Sequence, residues 1–199
     1  MSTIAETVAA LEAGKPVVIP TDTVYGLACS PDLEDAVRSL SALKRRSPEQ
    51  PIALVGASVE ALRVVVPEIP DTVLRGPYTF VVPNPQRRLP WLSGARPDTI
   101  GVRVPAVDGV AAELLERVGV VAATSANLHG GPDPRRVADV PEAILAGVAA
   151  VLDRGELPGT PSTVIDLTGP EARVLREGAA PAAEALAWIA AAGERIDAV

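Results

Sequence analysis

Val17-Val18-Ile19-Pro20-Thr21-Asp22-Thr23-Val24-Tyr25-Gly26-Leu27-Ala28 is the stretch on which the reading of the fold turns. Three β-branched residues in a row read as a short buried strand, and Pro20 stops it. Thr21, Asp22 and Thr23 follow at once. In open α/β sheets, ligand sites lie just beyond strand ends. Cap and turn roles suit the same residues, because Thr and Asp side chains hydrogen-bond nearby backbone. Tyr25 adds a polar tip on an apolar body. The arrangement recurs later. Residues 120–123 form a second apolar run, and Thr124, Ser125 and Asn127 stand at its end.

Working outward, strands and helices alternate. Residues 4–13 carry Ile4, Val8 and Leu11 on one helical face, with Gly14 as the stop. Asp32 is expected to cap a helix whose Val37, Leu40 and Leu43 face inward. A strand is expected over 52–55, a helix capped by Ser58 through Val66, and a strand over 78–82 after the Gly76-Pro77 turn. Residues 84–97 read as a loop rich in Pro and Arg, either a mobile lid or a solvated connection. A strand over 100–104 carries Arg103 on the face opposite Val102 and Val104. Helices are expected over 109–118, 135–147 and 181–192, and strands over 148–153, 163–167 and 174–176. This alternation predicts one α/β domain with a mixed sheet. Residues 1–180 form the domain, and 181–199 are a C-terminal helix packed on it.

Composition bounds the chemistry. The chain has 199 residues, 48% of them hydrophobic and 3% aromatic, with a net charge of −7. So few aromatics argue against stacking platforms for single-stranded nucleic acid, and the acidic balance argues against broad nucleic-acid binding. One Cys and one His argue against a structural zinc site, and the lone Cys29 fits a reducing compartment. Neither a signal peptide nor a membrane span is recognisable, so a cytoplasmic protein is expected.

Against that acidic background, Leu43-Lys44-Arg45-Arg46-Ser47-Pro48-Glu49-Gln50-Pro51-Ile52 is densely basic. Pro48 and Pro51 stiffen it into a loop. Three cations at a helix end suit a polyanion such as a nucleoside triphosphate, or complement the helix dipole. No phosphate-binding Gly-x4-Gly-Lys pattern, dinucleotide fingerprint or Gly-x-Ser-x-Gly elbow is present. His129, in a Gly/Pro loop, reads as exposed. What remains is a set of strand-end hydroxyls and amides (Thr23, Ser125, Asn127, Ser162) beside scattered cations (Lys44, Arg46, Arg103, Arg176). Such a set suits catalysis by positioning and charge neutralisation, as in phosphoryl or nucleotidyl transfer.

Several motifs in order then resemble the YrdC/Sua5 family, the threonylcarbamoyl-AMP synthases. They are the Pro20–Leu27 stretch, Lys44-x-Arg46 with Pro51-Ile52, and Gly76-Pro77-x-Thr79. Val102-Arg103-Val104-Pro105, Ser125-x-Asn127, Ser162-Thr-Val-Ile-Asp166 and Leu175-Arg176-x-Gly178 complete the set. The resemblance implies a single α/β domain with a twisted mixed sheet, flanking helices and a large basic cavity. It implies a nucleotidyltransferase making threonylcarbamoyl-AMP and pyrophosphate from L-threonine, bicarbonate and ATP, with Mg²⁺, for the t6A modification of tRNA. Residue by residue it puts threonine near Thr23, Arg103, Ala123 and Ser162. ATP falls near Lys44, Arg46, Gln50, Thr99, Ser125, Asn127 and Arg176, with Lys44 and Arg46 catalytic and no protein-bound metal. It also implies transient contact with a separate tRNA threonylcarbamoyl-transfer complex. Val55 stands where longer members carry a threonine-contacting His, and Asp133 where a Ser often touches ATP. A rival reading is a non-catalytic RNA-binding module that uses the same basic cavity for tRNA or rRNA.

Overall fold

The computed structural model describes residues 1–196. Its centre is one nine-stranded sheet. In chain order the strands are β1 (Val17–Ile19), β2 (Gly26–Cys29), β3 (Ala53–Gly56), β4 (Tyr78–Pro83), β5 (Thr99–Arg103), β6 (Val120–Ser125), β7 (Ala150–Val151), β8 (Thr163–Asp166) and β9 (Arg173–Arg176). They lie side by side as β7-β1-β2-β6-β3-β5-β4-β8-β9. The pairs β1/β7, β3/β5 and β4/β8 are parallel and the rest antiparallel, so the sheet is mixed as expected. The helices are α1 (Ile4–Glu12), α2 (Glu34–Leu43), α3 (Val59–Val65), α4 (Gly109–Val118), α5 (Glu142–Leu145) and α6 (Ala182–Ile196).

Strand periodicity splits the core in two. Val18, Leu27, Leu54, Val102 and Ala122 pack on one face with Leu40 of α2 and Leu62 of α3. Their neighbours Val17, Ile19, Ala28, Val55, Val121 and Ala123 pack on the other with Leu11 of α1 and Leu114 of α4. On this second face α1 and α4 lie against each other and against β1, β7 and β6. Toward β5, β4 and β8 the same face lies over a hollow instead.

Local chemistry explains most boundaries. Thr3 and Glu6 form a capping box on α1. Gly14, at φ +68°, closes that helix: its N–H bonds Leu11 O, and Lys15 N–H bonds Ala10 O. Ser58 caps α3 through the Ala61 N–H. Ala182 and Ala185 of α6 are buried, and Leu186 and Ile189 pack against the first core cluster. Residues 197–199 of the expected C-terminal helix lie outside the described residues.

Three expectations are corrected. Asp32 does not cap α2; the cap position is Leu33, with no side-chain bond, and Glu34 and Asp35 in the first turn meet the dipole instead. Residues 135–147 are not one helix but a 3-10 turn, Val137–Asp139, and the single turn α5. Pro141 forces Val140 out of helical geometry, to ψ 126°. The strand expected over 148–153 shrinks to Ala150–Val151. Gly26–Cys29, for which the sequence suggested no element, is a fully buried strand between β1 and β6.

The 84–97 connection is largely exposed, as a solvated connection would be, but its 92–95 segment is held down. Ile52 N–H bonds Leu92 O at 2.9 Å and Ala95 N–H bonds Glu49 O at 3.0 Å, so it is docked on the basic stretch.

Candidate active site

The hollow is a cavity of about 500 Å³. Its floor follows from the register. Val55 lies opposite Arg103, Val81 opposite Gly101, Ala53 opposite Ala123 and Thr79 opposite Val164, so these eight residues share one face of the sheet. All eight border the cavity. Gly101 contributes no side chain there, which leaves depth in the middle of the floor.

One end is built on Arg103. Its side chain is 10% exposed and ion-paired to Asp22, itself 9% exposed. Nη2 also donates to Thr23 Oγ1 at 3.0 Å, and Asp22 Oδ2 accepts from the Ala106 N–H at 2.9 Å. Thr21 shapes the turn that presents both residues: its hydroxyl accepts from the N–H groups of Thr23 and Val24 and donates to Val24 O. The Nε of Arg103 is buried with no partner among the described residues. Burial lowers the pKa of Arg103, Asp22 raises it, and nearby Arg176 lowers it. Arg103 thus has one carboxylate beside it and a second guanidinium nearby, and this end suits an anion.

Ser162 and Arg176 stand next to that end. Thr79 and Ser162 share a hydroxyl–hydroxyl bond of 2.8 Å, and Arg176 donates to Ser162 O from Nη2 at 2.7 Å and from Nε at 3.1 Å. Opposite, Arg46 folds over its own loop, donating from Nη2 to Gln50 O and Pro51 O, each at 2.9 Å. Its Nε, too, is buried without a partner among the described residues.

Of the residues singled out from sequence, Thr23, Arg46, Thr99, Arg103, Ala123, Ser125, Ser162 and Arg176 border this one cavity. Lys44, Gln50 and Asn127 are not on its wall. Lys44 is 4% exposed. Its ammonium donates to Ser125 O at 2.6 Å, Asn127 Oδ1 at 2.7 Å and Asn127 O at 2.8 Å. Three acceptors use all three N–H groups, so Lys44 binds the 125–127 turn together. Ser125 Oγ also donates to Asn127 Oδ1 at 2.6 Å, and Asn127 Nδ2 donates to Gly131 O at 2.6 Å. Burial, with Arg46 beside it, pulls Lys44 down to about 8, against the attraction of Asp133. His129 is exposed, as its loop suggested.

Sequence reasoning assigned no role to Asp22, Ser93 or Arg96. Asp22 sits inside a quoted motif, so a charged residue between two threonines beside a buried strand was the available signal. Tyr25 proves structural: fully buried, its hydroxyl lies on Asp153 and Gly155 O and accepts from the Arg154 N–H.

A family model described as "Telomere recombination", the Sua5/YciO/YrdC domain, matches residues 9–178. The threonylcarbamoyl-AMP synthase of Pyrococcus abyssi is 36% identical over 180 residues, which are 86% of this chain and 52% of that protein. This chain therefore spans about half the length of that relative. The threonylcarbamoyl-AMP synthase of Methylococcus capsulatus is 43% identical over 129 residues, 61% of this chain and 68% of that protein. The crystal structure of Pyrococcus abyssi Sua5 complexed with L-threonine superposes with a TM-score of 0.85 at 34% identity, covering 94% of this chain and 57% of that one. With its mixed sheet and a family model matching residues 9–178, the chain belongs to the Sua5/YciO/YrdC family.

Proposed function

We propose that the chain is a threonylcarbamoyl-AMP synthase, a nucleotidyltransferase that makes threonylcarbamoyl-AMP and pyrophosphate from L-threonine, bicarbonate and ATP. The observation that carries this reading is the convergence of two anion-seeking ends on one cavity. Arg103, Thr23 and Ser162, with Ala123 on the floor, would take the amino acid. Arg46, Arg176, Thr99 and Ser125 would take the nucleotide, with Lys44, Gln50 and Asn127 supporting from behind the wall.

In this scheme the threonine amine adds to bicarbonate with loss of water, giving a carbamate. A carbamate oxygen then bonds the α-phosphorus, the bond to the bridging oxygen breaks, and its electron pair leaves with pyrophosphate. The protein's part is to hold the reactants in line and offset charge on the leaving group. Mg²⁺ would arrive on the triphosphate, because the wall offers cations and hydroxyls and the described residues hold no group of three carboxylate, His or Cys side chains. No described helix is long and apolar enough to cross a membrane. A cytoplasmic site of action and hand-over to a tRNA threonylcarbamoyl-transfer complex complete the proposal. RNA binding without chemistry is the weaker reading, since Arg46 and Arg103 border a hollow of small-molecule size.

The test is to incubate the protein with ATP, bicarbonate and each amino acid in turn. A threonine-dependent adenylate found by mass, with matching pyrophosphate, is the expected product; its absence under all conditions refutes the assignment.

Lys44 supplies a pH prediction. Folded Lys44 loses its proton near pH 8, whereas an unfolded lysine keeps it to about 10.4. Between these values the unfolded state binds more protons, so this group's contribution makes stability rise with pH across that window. The neutral amine has only two N–H groups for three acceptors, so the 125–127 turn loosens. ATP affinity by calorimetry is therefore expected to fall as pH rises through about 8, while this group's contribution to the melting temperature rises. A Lys44→Met variant should bind ATP weakly at every pH and lose this inflection; an inflection retained there would remove Lys44 as its source.

A further inference from the structure

The 84–97 loop, held down at 92–95, brings two polar side chains to the cavity that the scheme above leaves unused. Ser93 borders the cavity, is 3% exposed, and its hydroxyl has no hydrogen-bond partner among the described residues. Leaving a buried hydroxyl unpaired costs roughly 1–3 kcal/mol. A site that binds a ligand accounts for such a group, because the partner arrives with the ligand.

Arg96 borders the same cavity and its side chain is 49% exposed. Nη1 donates to Asp166 Oδ2 at 3.0 Å and Nη2 to Thr168 Oγ1 at 2.8 Å. Asp166 is fully buried in its side chain, yet it does not depend on Arg96. It also accepts from Arg173 Nη2 at 3.1 Å, from Thr168 N–H at 2.9 Å and from Thr168 Oγ1 at 2.5 Å. If Arg96 turned into the cavity, the carboxylate would keep three donors and one cation. Arg96 is a positive charge resting on a carboxylate that can release it. The buried, unpaired Nε of Arg46 stands on the same wall.

We infer that Ser93 and Arg96, with Arg46, form a subsite for the terminal pyrophosphoryl group of the nucleotide, and that it holds pyrophosphate as the leaving group departs. The inference deepens the synthase reading and rests on it. A hydroxyl donor and two guanidinium groups match unesterified phosphate oxygens, which accept several charge-assisted bonds at once. The amino-acid carboxylate has its own cation in Arg103, and adenine carries no charge for Arg96 to meet. When the bond from the α-phosphorus to the bridging oxygen breaks, negative charge grows on the pyrophosphoryl group. Ser93 and Arg46 on the cavity wall, and Arg96 once it turns in from Asp166, would meet that charge as it grows.

The test compares wild type, Ser93→Ala, Arg96→Ala and Arg96→Lys by calorimetry with ATP, inorganic pyrophosphate, AMP and L-threonine. Ser93→Ala and Arg96→Ala should each weaken ATP and pyrophosphate about tenfold, roughly the worth of one charge-assisted bond. AMP and threonine affinities should stay unchanged, and Arg96→Lys should recover part of the loss. Ser93→Ala should keep or raise the melting temperature, since it removes a hydroxyl that the ligand-free protein leaves unpaired; a drop would mark the hydroxyl as structural and overturn its role. Wild type that binds ATP and pyrophosphate while the variants bind them equally well refutes the subsite and leaves the synthase reading standing. Wild type that binds neither removes the synthase reading and the subsite with it.

Discussion

Arg103→Lys is expected to raise the threonine KM by one to two orders of magnitude while moving the ATP KM by less than about threefold. The guanidinium is asked to do two things at once. Nη2 is committed to Asp22 and Thr23, and the buried Nε remains to donate. A lysine ammonium is a single point charge and cannot span both directions. A lost charge-assisted bond is worth about 1.5–3 kcal/mol, and about 1.4 kcal/mol is tenfold in affinity. Asp22 is the second half of the device. It fixes the guanidinium plane from one side and is itself held by the Ala106 N–H. Asp22→Asn should therefore also raise the threonine KM, by less. Arg103→Ala leaves Asp22 buried without a counter-charge, which costs about 3–5 kcal/mol of stability, so the lysine variant is the cleaner probe. Steady-state kinetics with threonine and ATP varied separately decide the matter. A threonine KM unchanged in Arg103→Lys would remove the carboxylate from this end of the cavity.

The sheet was legible where local chemistry and tertiary context agree. Val17–Ile19, Thr99–Arg103 and Val120–Ser125 are apolar, rich in β-branched residues and bounded by Pro, Gly or polar turns, and each is a strand. Gly26–Cys29 has no β-branched residue. It is extended because β1 and β6 flank it on both sides and supply its ladder, a reason that no window of sequence contains. Residues 135–147 misled in the opposite way, since helical spacing of apolar residues outweighed the single break at Pro141.

The site divides along the same line. Arg103 was readable because one charge inside an apolar strand must point somewhere, and alternation put it opposite Val102. Lys44 and Arg46 look equivalent in sequence, yet one is folded onto the backbone of the 125–127 turn and the other borders the cavity. Which acceptors a cation meets is settled by chain segments about eighty residues away. Ser93 and Arg96 show the limit most clearly. A serine in a loop means nothing until its hydroxyl is seen to be buried and unpaired.

Gly178→Ala is expected to damage both ends of the cavity at once. A Cβ at this position would lie 2.3 Å from Pro161 O, 2.5 Å from Ser162 C and 2.6 Å from Ser162 O. Those are backbone atoms, which cannot swing aside as a flexible side-chain tip can. The contact is tight because the chain after β9 folds back on the residues before β8: Gly178 N–H bonds Thr163 Oγ1 at 2.9 Å, and Ala179 N–H bonds Pro161 O at 2.8 Å. Pairing of β9 with β8 sets Arg176 beside Ser162, and the close return at Gly178 holds the same backbone, which gives the Arg-x-Gly spacing a steric cause. Forcing an extra methyl into such a contact costs about 1–3 kcal/mol. The chain would relieve it by parting 161–162 from 178, which carries Ser162 and Arg176 away from each other. Threonine and ATP affinities should both fall about tenfold or more, with the melting temperature lowered by several degrees. Arg103→Lys predicts loss on the threonine side alone, so the pair of variants separates a contact from the frame that holds it. Gly178→Ala with native affinity for both substrates would mean that the hairpin gives way elsewhere, and that Ser162 and Arg176 do not need this close approach to bind.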